Sequence, residues 1–282
     1  MQTGSPDSRV RCVHDGTMHL GEGPVFCPAD DAVYWVDIKG NAIHRLGLAD
    51  ESHRSWTTPF AVSALAPRAR GGFVAASARG FVLIDAGIRD FDVIGHPEPT
   101  LPRNRFNDGK LDLKGRFWAG TMDDAEEAPT GSLYRLDADL RWSVQDHGYR
   151  VSNGPAFSPD GRWLYHADSA DRVIHRMALR EPDGDLAERG EFARFDARHG
   201  YPDGMTCDAE GCLWVAFWDG WCIRRLSPDG AILCEVRLPV ARPTSCAFAG
   251  AGLDRLFVSS AGGPLFQLEP GPRGFATPAF PT

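Results

Sequence analysis

The chain has 282 residues, 43% of them hydrophobic and 24% charged, with a formal net charge of -8. That is the make-up of a globular chain able to bury a large core. It has no lysine and arginine cluster of the kind that nucleic acids or anionic membranes require, and no apolar run near the roughly 20 residues of a membrane-spanning helix.

The first residues, Met1-Gln2-Thr3-Gly4-Ser5-Pro6, show neither the cationic nor the apolar region of a signal peptide, and residues 1–8 read as a flexible tail. The seven cysteines are scattered, with no close Cys-x-x-Cys pair, which favours reduced structural thiols over a disulfide framework or a zinc knuckle. Together these features predict a cytoplasmic protein.

From Arg9 onward, short alternating runs bounded by turn residues dominate, as in Val33-Tyr34-Trp35-Val36-Asp37 and Leu213-Trp214-Val215-Ala216. Such β-branched and aromatic runs predict an all-β chain. One unit recurs: a small or polar start, an apolar pair, a turn, an aromatic strand, then a strand ending near Arg-Leu. Copies centre on Tyr34-Trp35, on Phe73-Val74 (the least distinct) and on Phe117-Trp118, which is preceded by Asn107-Asp108-Gly109-Lys110-Leu111. Three more centre on Trp163-Leu164-Tyr165-His166, Leu213-Trp214-Val215-Ala216 and Leu256-Phe257.

Six units at a spacing of roughly 40–50 residues match four-stranded propeller blades. They predict one six-bladed β-propeller of antiparallel blades over residues 9–282, with no room for a second domain. Arg9-Val10-Arg11-Cys12-Val13 is the expected closing strand for the last blade, removing the exposed edges that invite aggregation.

About a dozen residues before each aromatic strand stand Glu22, Ser63, Asn107, Asn153, Asp203 and Ser245. The first strand of each propeller blade lines the channel, so equivalent positions converge on one ring at one mouth. Clustered carboxylates repel unless protonated or bridged by a cation, and a divalent ion is the economical solution. Asn-Gly and Asp-Gly alone signal nothing more than turns. Asp160-Gly161 and Asp229-Gly230 serve as internal controls, because they occupy a different place in the repeat.

His166 reads as a structural histidine, and Trp218 and Trp221 as packing aromatics, although either indole suits stacking on a sugar ring. No Gly-x-Ser-x-Gly elbow, His-Glu-x-x-His helix or phosphate loop is present.

Several segments resemble the SMP-30/gluconolactonase/luciferin-regenerating family, which includes regucalcin and bacterial sugar lactonases. They are Leu20-Gly21-Glu22-Gly23-Pro24, Arg105-Phe106-Asn107-Asp108-Gly109-Lys110, Gly115 to Met122, Ser152-Asn153-Gly154-Pro155, Pro202-Asp203-Gly204-Met205 with Asp208-Ala209-Glu210-Gly211, and Thr244 to Phe248. The resemblance implies one divalent metal held by Glu22, Asn153 and Asp203, with Asp203 also the base. Arg105 and Asn107 would contact substrate, joined by an acidic residue of Asp123-Asp124-Ala125-Glu126-Glu127, for which Glu126 is chosen. The short stretch from Glu126 to Gly131 is similar to bacterial pentonolactonases.

The implied activity is hydrolysis of a sugar lactone to its aldonic acid. The implied partner is that small molecule, with no nucleic acid, membrane or obligate protein partner. Three oxygen ligands suit calcium, magnesium, manganese, zinc or ferrous iron alike. A non-catalytic calcium- or metal-binding propeller of regucalcin type is the alternative. A WD- or kelch-type interaction propeller lacks its recurring signatures here, while a six-bladed esterase or phosphotriesterase stays open because fold does not set function.

Overall fold

The computed structural model describes residues 5–180 and 184–282. Its strands form six antiparallel sheets, one per repeat, arranged as a six-bladed β-propeller. The first strands are Gly21–Cys27, Val62–Pro67, Asn104–Leu111, Ser152–Phe157, Tyr201–Cys207 and Pro243–Ala249. Each packs against the first strand of the next blade, and the sixth against the first. The Phe73 copy, the least distinct in sequence, forms a blade like the others, Val62–Pro67, Phe73–Ser77, Gly80–Ile84 and Phe91–Gly95. In the fourth blade a short strand, Asp185–Leu186, also pairs with the end of Val173–Arg180.

The ring closes as the sequence predicts. Arg11–His14 pairs antiparallel with Leu265–Leu268 and becomes the outer strand of the sixth blade. Of the expected N-terminal tail, residues 1–4 lie outside the described residues, and the backbone N–H of Asp7 donates to the Arg237 carbonyl at 3.1 Å. All seven cysteines are free. Among the described residues no helix is long and apolar enough to cross a membrane.

Strand periodicity explains the packing. Successive side chains point to opposite faces of a sheet, and in a propeller both faces meet another blade. Tyr34 and Val36 therefore pack with Leu65 and Phe73 of the second blade, while Val33 and Trp35 pack with Phe257 and Leu265 of the sixth. Similar apolar clusters fill the remaining blade interfaces. Strands buried on both faces carry continuous apolar runs, so Ala32–Asp37 and Leu213–Trp218 do not show the alternation expected of them from sequence.

The turn before an aromatic strand is locked by a buried aspartate. Asp208 Oδ1 accepts from the N–H groups of Glu210 and Cys212, both at 3.0 Å, and Oδ2 from Trp214 Nε1 at 3.0 Å and Arg225 Nε at 2.8 Å. Asp112 does the same for its own turn and for Trp118, with Nε1 at 2.8 Å. Asp160 and Asp229 sit in simple surface turns, as expected of the internal controls. Replacing Asp208 leaves the buried Trp214 indole N–H without an acceptor and Arg225 with Glu210 alone. Asp208→Ala should therefore cost about 3 kcal/mol of stability, read as a lower urea midpoint with an unchanged slope.

Candidate functional site at one channel mouth

Every first strand carries a register shift at its ring position. The shifts fall at Glu22/Val25, Val62/Ala64, Phe106/Asp108, Asn153/Ala156, Pro202/Met205 and Pro243/Ser245. Such bulges break the regular pleat and re-aim a side chain, a device common beside functional sites. Here they occur where the strands pass the channel axis.

Two cavities result. One, of about 420 Å³, is lined by Glu22, Arg105, Asn107, Glu126, Asn153 and Asp203, together with Ser169, Tyr201, Trp218 and Asp219. The other, of about 840 Å³, is lined by the later residues of the same first strands, including Asp108, Lys110, Cys207 and Ser245. The first strands thus run from one cavity to the other, which places the two at opposite ends of the ring. The smaller holds the convergent polar groups and is the candidate site. All six residues singled out in the sequence for chemistry line it.

Glu22, Asn107, Asn153 and Asp203 are buried. Glu22 Oε2 accepts from the N–H of Gly23 at 2.9 Å, and Asp203 Oδ1 from that of Gly204 at 3.0 Å. Arg105, the cation whose field reaches both carboxylates, is itself paired with Asp124. Burial raises Glu22 well above the usual carboxylate range, and the negative charges of Asp203 and Asp108 push it further. Burial likewise raises Asp203, with Asp108 and Glu126 adding to it against the Gly204 N–H and Arg105. Two buried carboxylates lacking an ion-pair partner among the described residues, each with one oxygen held by backbone, are a donor set that fits a divalent cation.

The amides are oriented by their hydrogen bonds. Ser169 Oγ donates to the Pro202 carbonyl at 2.6 Å and so accepts from Asn153 Nδ2 at 2.8 Å, which turns Asn153 Oδ1 the other way. That oxygen accepts from Asn107 Nδ2 at 2.9 Å. Asn107 Nδ2 also donates to the Ser152 carbonyl at 2.9 Å, and its Oδ1 accepts from Arg105 Nη1 at 2.6 Å. Asn107 therefore links the Arg105 guanidinium to the Asn153 amide.

The acidic run divides by role. Asp123 is buried and accepts from the N–H groups of Glu127 and Ala128, shaping the loop. Asp124 pairs with Lys39 as well as Arg105, and Glu127 with Arg103. Glu126 reaches the cavity at its exposed rim.

Two ring members stand apart from this cavity. Ser63 Oγ donates to the Phe106 carbonyl at 2.8 Å, and Ser245 lines the opposite cavity. Ser245 also explains Gly204, where an added Cβ would fall 2.2 Å from its Oγ. His166 is fully buried, with Nε2 2.9 Å from Ser152 Oγ, and burial lowers it to about 3. Trp218 lines the candidate cavity while its ring carries the Arg242 guanidinium 4.8 Å from its centroid. Asp108 and Ser169 are the residues that the repeat did not single out. Asp108 is buried in the ring, accepts from the N–H groups of Gly109 and Gly154, and is pushed up to about 6, chiefly by burial.

A six-bladed propeller with two carboxylates and an amide oxygen at one channel mouth defines a class of small-molecule site. Within that class the chain belongs to the family described as SMP-30/Gluconolactonase/LRE-like, whose model matches residues 20–262. It is 39% identical over 254 residues to a 6-deoxy-6-sulfogluconolactonase of Pseudomonas putida, covering 89% of this chain and 86% of that one. It is 34% identical over 256 residues to a pentonolactonase of Haloferax volcanii, covering 90% and 86%. Its fold superposes on regucalcin, a calcium-binding protein from Agrobacterium tumefaciens, with a TM-score of 0.92 at 29% identity over 96% of this chain and 97% of that one.

Carboxylates that hold protons more tightly folded than unfolded favour folding below about pH 4, and lose that contribution as the pH rises through their folded values. In chelator-treated protein, Glu22→Gln should therefore have a higher Tm than the unaltered chain at pH 8, and the gap should narrow toward pH 5. Comparing the two proteins removes the opposite dependence contributed by buried histidines. A Glu22→Gln variant that is less stable at pH 8 would contradict the unpaired burial of Glu22.

Proposed function

We propose that the chain is a metal-dependent hydrolase of sugar lactones, releasing the corresponding aldonic acid. The observation that carries this reading is the convergence of Glu22, Asn153 and Asp203 on one cavity with Arg105 and Glu126 at its edge. The lactonase names of the Pseudomonas putida and Haloferax volcanii relatives support it.

In this reading Glu22, Asn153 and Asp203 hold one divalent ion. When bound, that ion supplies a Lewis acid toward the lactone carbonyl and raises the acidity of water in the site. Asp203 takes the proton of the attacking water as its oxygen bonds to the carbonyl carbon. The ring C–O bond then breaks, and the proton passes to the departing ring oxygen, which becomes a free hydroxyl. Arg105, anchored through Asn107 and Asp124, faces the negative charge that develops on the carbonyl oxygen. Glu126 and Asn107 orient sugar hydroxyls.

The calcium-binding description of the Agrobacterium tumefaciens relative favours a second reading, in which the same ligands serve calcium binding without turnover. A panel of five- and six-carbon aldonolactones, run with chelator and then with calcium, magnesium, manganese, zinc or ferrous ions, separates the two. The catalytic reading requires turnover that chelator abolishes and at least one ion restores.

Asp203→Asn should lower kcat/KM by about 10²–10⁴-fold with the far-ultraviolet spectrum unchanged. Ser169→Ala frees the Asn153 amide to turn, and should weaken metal affinity by about 10–100-fold while kcat at saturating metal is largely recovered.

A further inference from the structure

Three histidines meet on the outside of the ring, well away from the channel-lining strands. His14 ends the closing strand Arg11–His14 of the sixth blade, whereas His44 and His53 belong to the third and fourth strands of the first, Ala42–Gly47 and His53–Thr57. In the antiparallel pairing, His44 stands opposite Ser55 and His53 opposite Leu46, so the two are diagonal neighbours on one face. His44 Nδ1 lies 3.1 Å from His53 Nε2, and one ring nitrogen from each of the three histidines falls within 4.8 Å of the others.

The cluster is built rather than loosely exposed. His44 stacks on Trp35, with centroids 5.1 Å apart and planes at 14°. Trp35 belongs to the apolar cluster that joins the first and sixth blades through Val33, Leu46, Phe257 and Leu265. His14 stacks on His53 at 4.0 Å. Behind His14, position 16 is glycine, where a Cβ would fall 2.3 Å from His14 Nε2. Burial lowers all three histidines, His44 to about 4 with the other two adding to the effect, while Asp37 acts on His44 and Asp15 on His14 in the opposite sense. The imidazoles are therefore neutral at neutral pH, and one of His44 Nδ1 and His53 Nε2 donates to the other. A bound ion would replace that hydrogen bond, with each ring in the tautomer that leaves its facing nitrogen unprotonated.

We propose that His14, His44 and His53 form a second metal site, specific for a nitrogen-preferring divalent ion of the zinc, nickel, cobalt or copper class, which ties the closing strand to the first blade. Imidazole ligands select this class, whereas calcium and magnesium prefer oxygen. Bonds of about 2.0–2.1 Å at a tetrahedral zinc separate two ligand nitrogens by about 3.3 Å, close to the gap already present between His44 and His53. His14 and His53 reach the same ion by turning about their side-chain bonds, with His14 at the free end of its strand. The fourth position is left to water. The noncovalent pairing that shuts the ring joins Arg11–His14 to Leu265–Leu268, and the ion would fix that closing strand against the outer strands of the first blade.

The test reads metal binding and stability rather than turnover. A Glu22→Gln, Asp203→Asn double variant silences the channel mouth. By equilibrium dialysis it should retain one zinc ion per chain, and its cobalt form should show visible absorption of a nitrogen-ligated site. Zinc at about 100 times its dissociation constant should raise the Tm by on the order of 5 °C, and calcium should not. Adding the exposed His53→Gln or the strand-end His14→Gln change should abolish both the bound zinc and the Tm shift. In the chain with an unaltered channel, His53→Gln should lower zinc stoichiometry by one. The proposal is overturned if the double variant binds no zinc, or if the histidine changes leave stoichiometry and Tm shift as they were. Because neither readout depends on lactone turnover, failure here leaves the channel-mouth reading untouched, and the reverse also holds.

Discussion

Six strands converging on one axis cannot all keep a regular pleat, and the site follows from how each strand departs from it. A pleated strand sends alternate side chains into the two neighbouring blade interfaces and none along the axis. The bulge in each first strand interrupts that alternation where the strand passes the channel. Glu22, Asn153 and Asp203 are thereby turned toward one mouth although they are far apart in the chain. The residues that follow must then be small. Gly154 adopts a φ of 81°, favourable for glycine, and Gly204 leaves no room for a side chain beside Ser245.

That arrangement works against folding at its own centre. Burial raises Glu22, Asp203 and Asp108, Asp108 adds to the other two and Asp203 to Glu22, while Lys110 lowers Asp108. The cost is carried by the blade interfaces, where each pair of sheets buries an apolar cluster, and by the aspartate-locked turns at Asp112 and Asp208. Local destabilisation at a functional site, supported by a rigid surround, is a recurrent trade in enzymes. In the proposed reading, an ion held by Glu22 and Asp203 offsets their burial and so favours the folded chain.

The repeat made the blades, the closing strand and the ring legible because a fold built of equivalent units repeats its constraints in sequence. Even the indistinct Phe73 copy is forced into a blade by its neighbours. What the repeat could not report is anything that breaks it. Asp108 occupies the place where other blades have Gly23, Ala64, Gly154, Gly204 or Cys246, one residue after the ring position held by Asn107. Ser169 reaches Asn153 only through tertiary packing of the loop after Asp168, and no local motif announces it. Ser63 and Ser245 show the opposite failure, since an equivalent position gave them a place in the ring but not a common cavity. The histidine cluster was also hidden, because His14 and His53 meet only when the last blade closes on the first.

Ring and rim obey different constraints, and under the proposed function substrate choice would belong to the rim. Glu22, Asn153 and Asp203 sit on strands buried from both sides, where a change of volume or charge disturbs two blades at once. The residues above them are held by loops and by surface ion pairs: Asp124 between Lys39 and Arg105, Asp219 with Arg242, and Glu126 at a turn of positive φ. Exposed pairs of this kind contribute little stability, so they can be rearranged at small cost. Relatives named for a sulfogluconolactone and for pentonolactones share this chain's overall sequence pattern at 39% and 34% identity. In the proposed reading, a rigid ring holds the reacting groups and a loosely held rim meets the rest of the substrate, a division that allows one fold to carry different specificities.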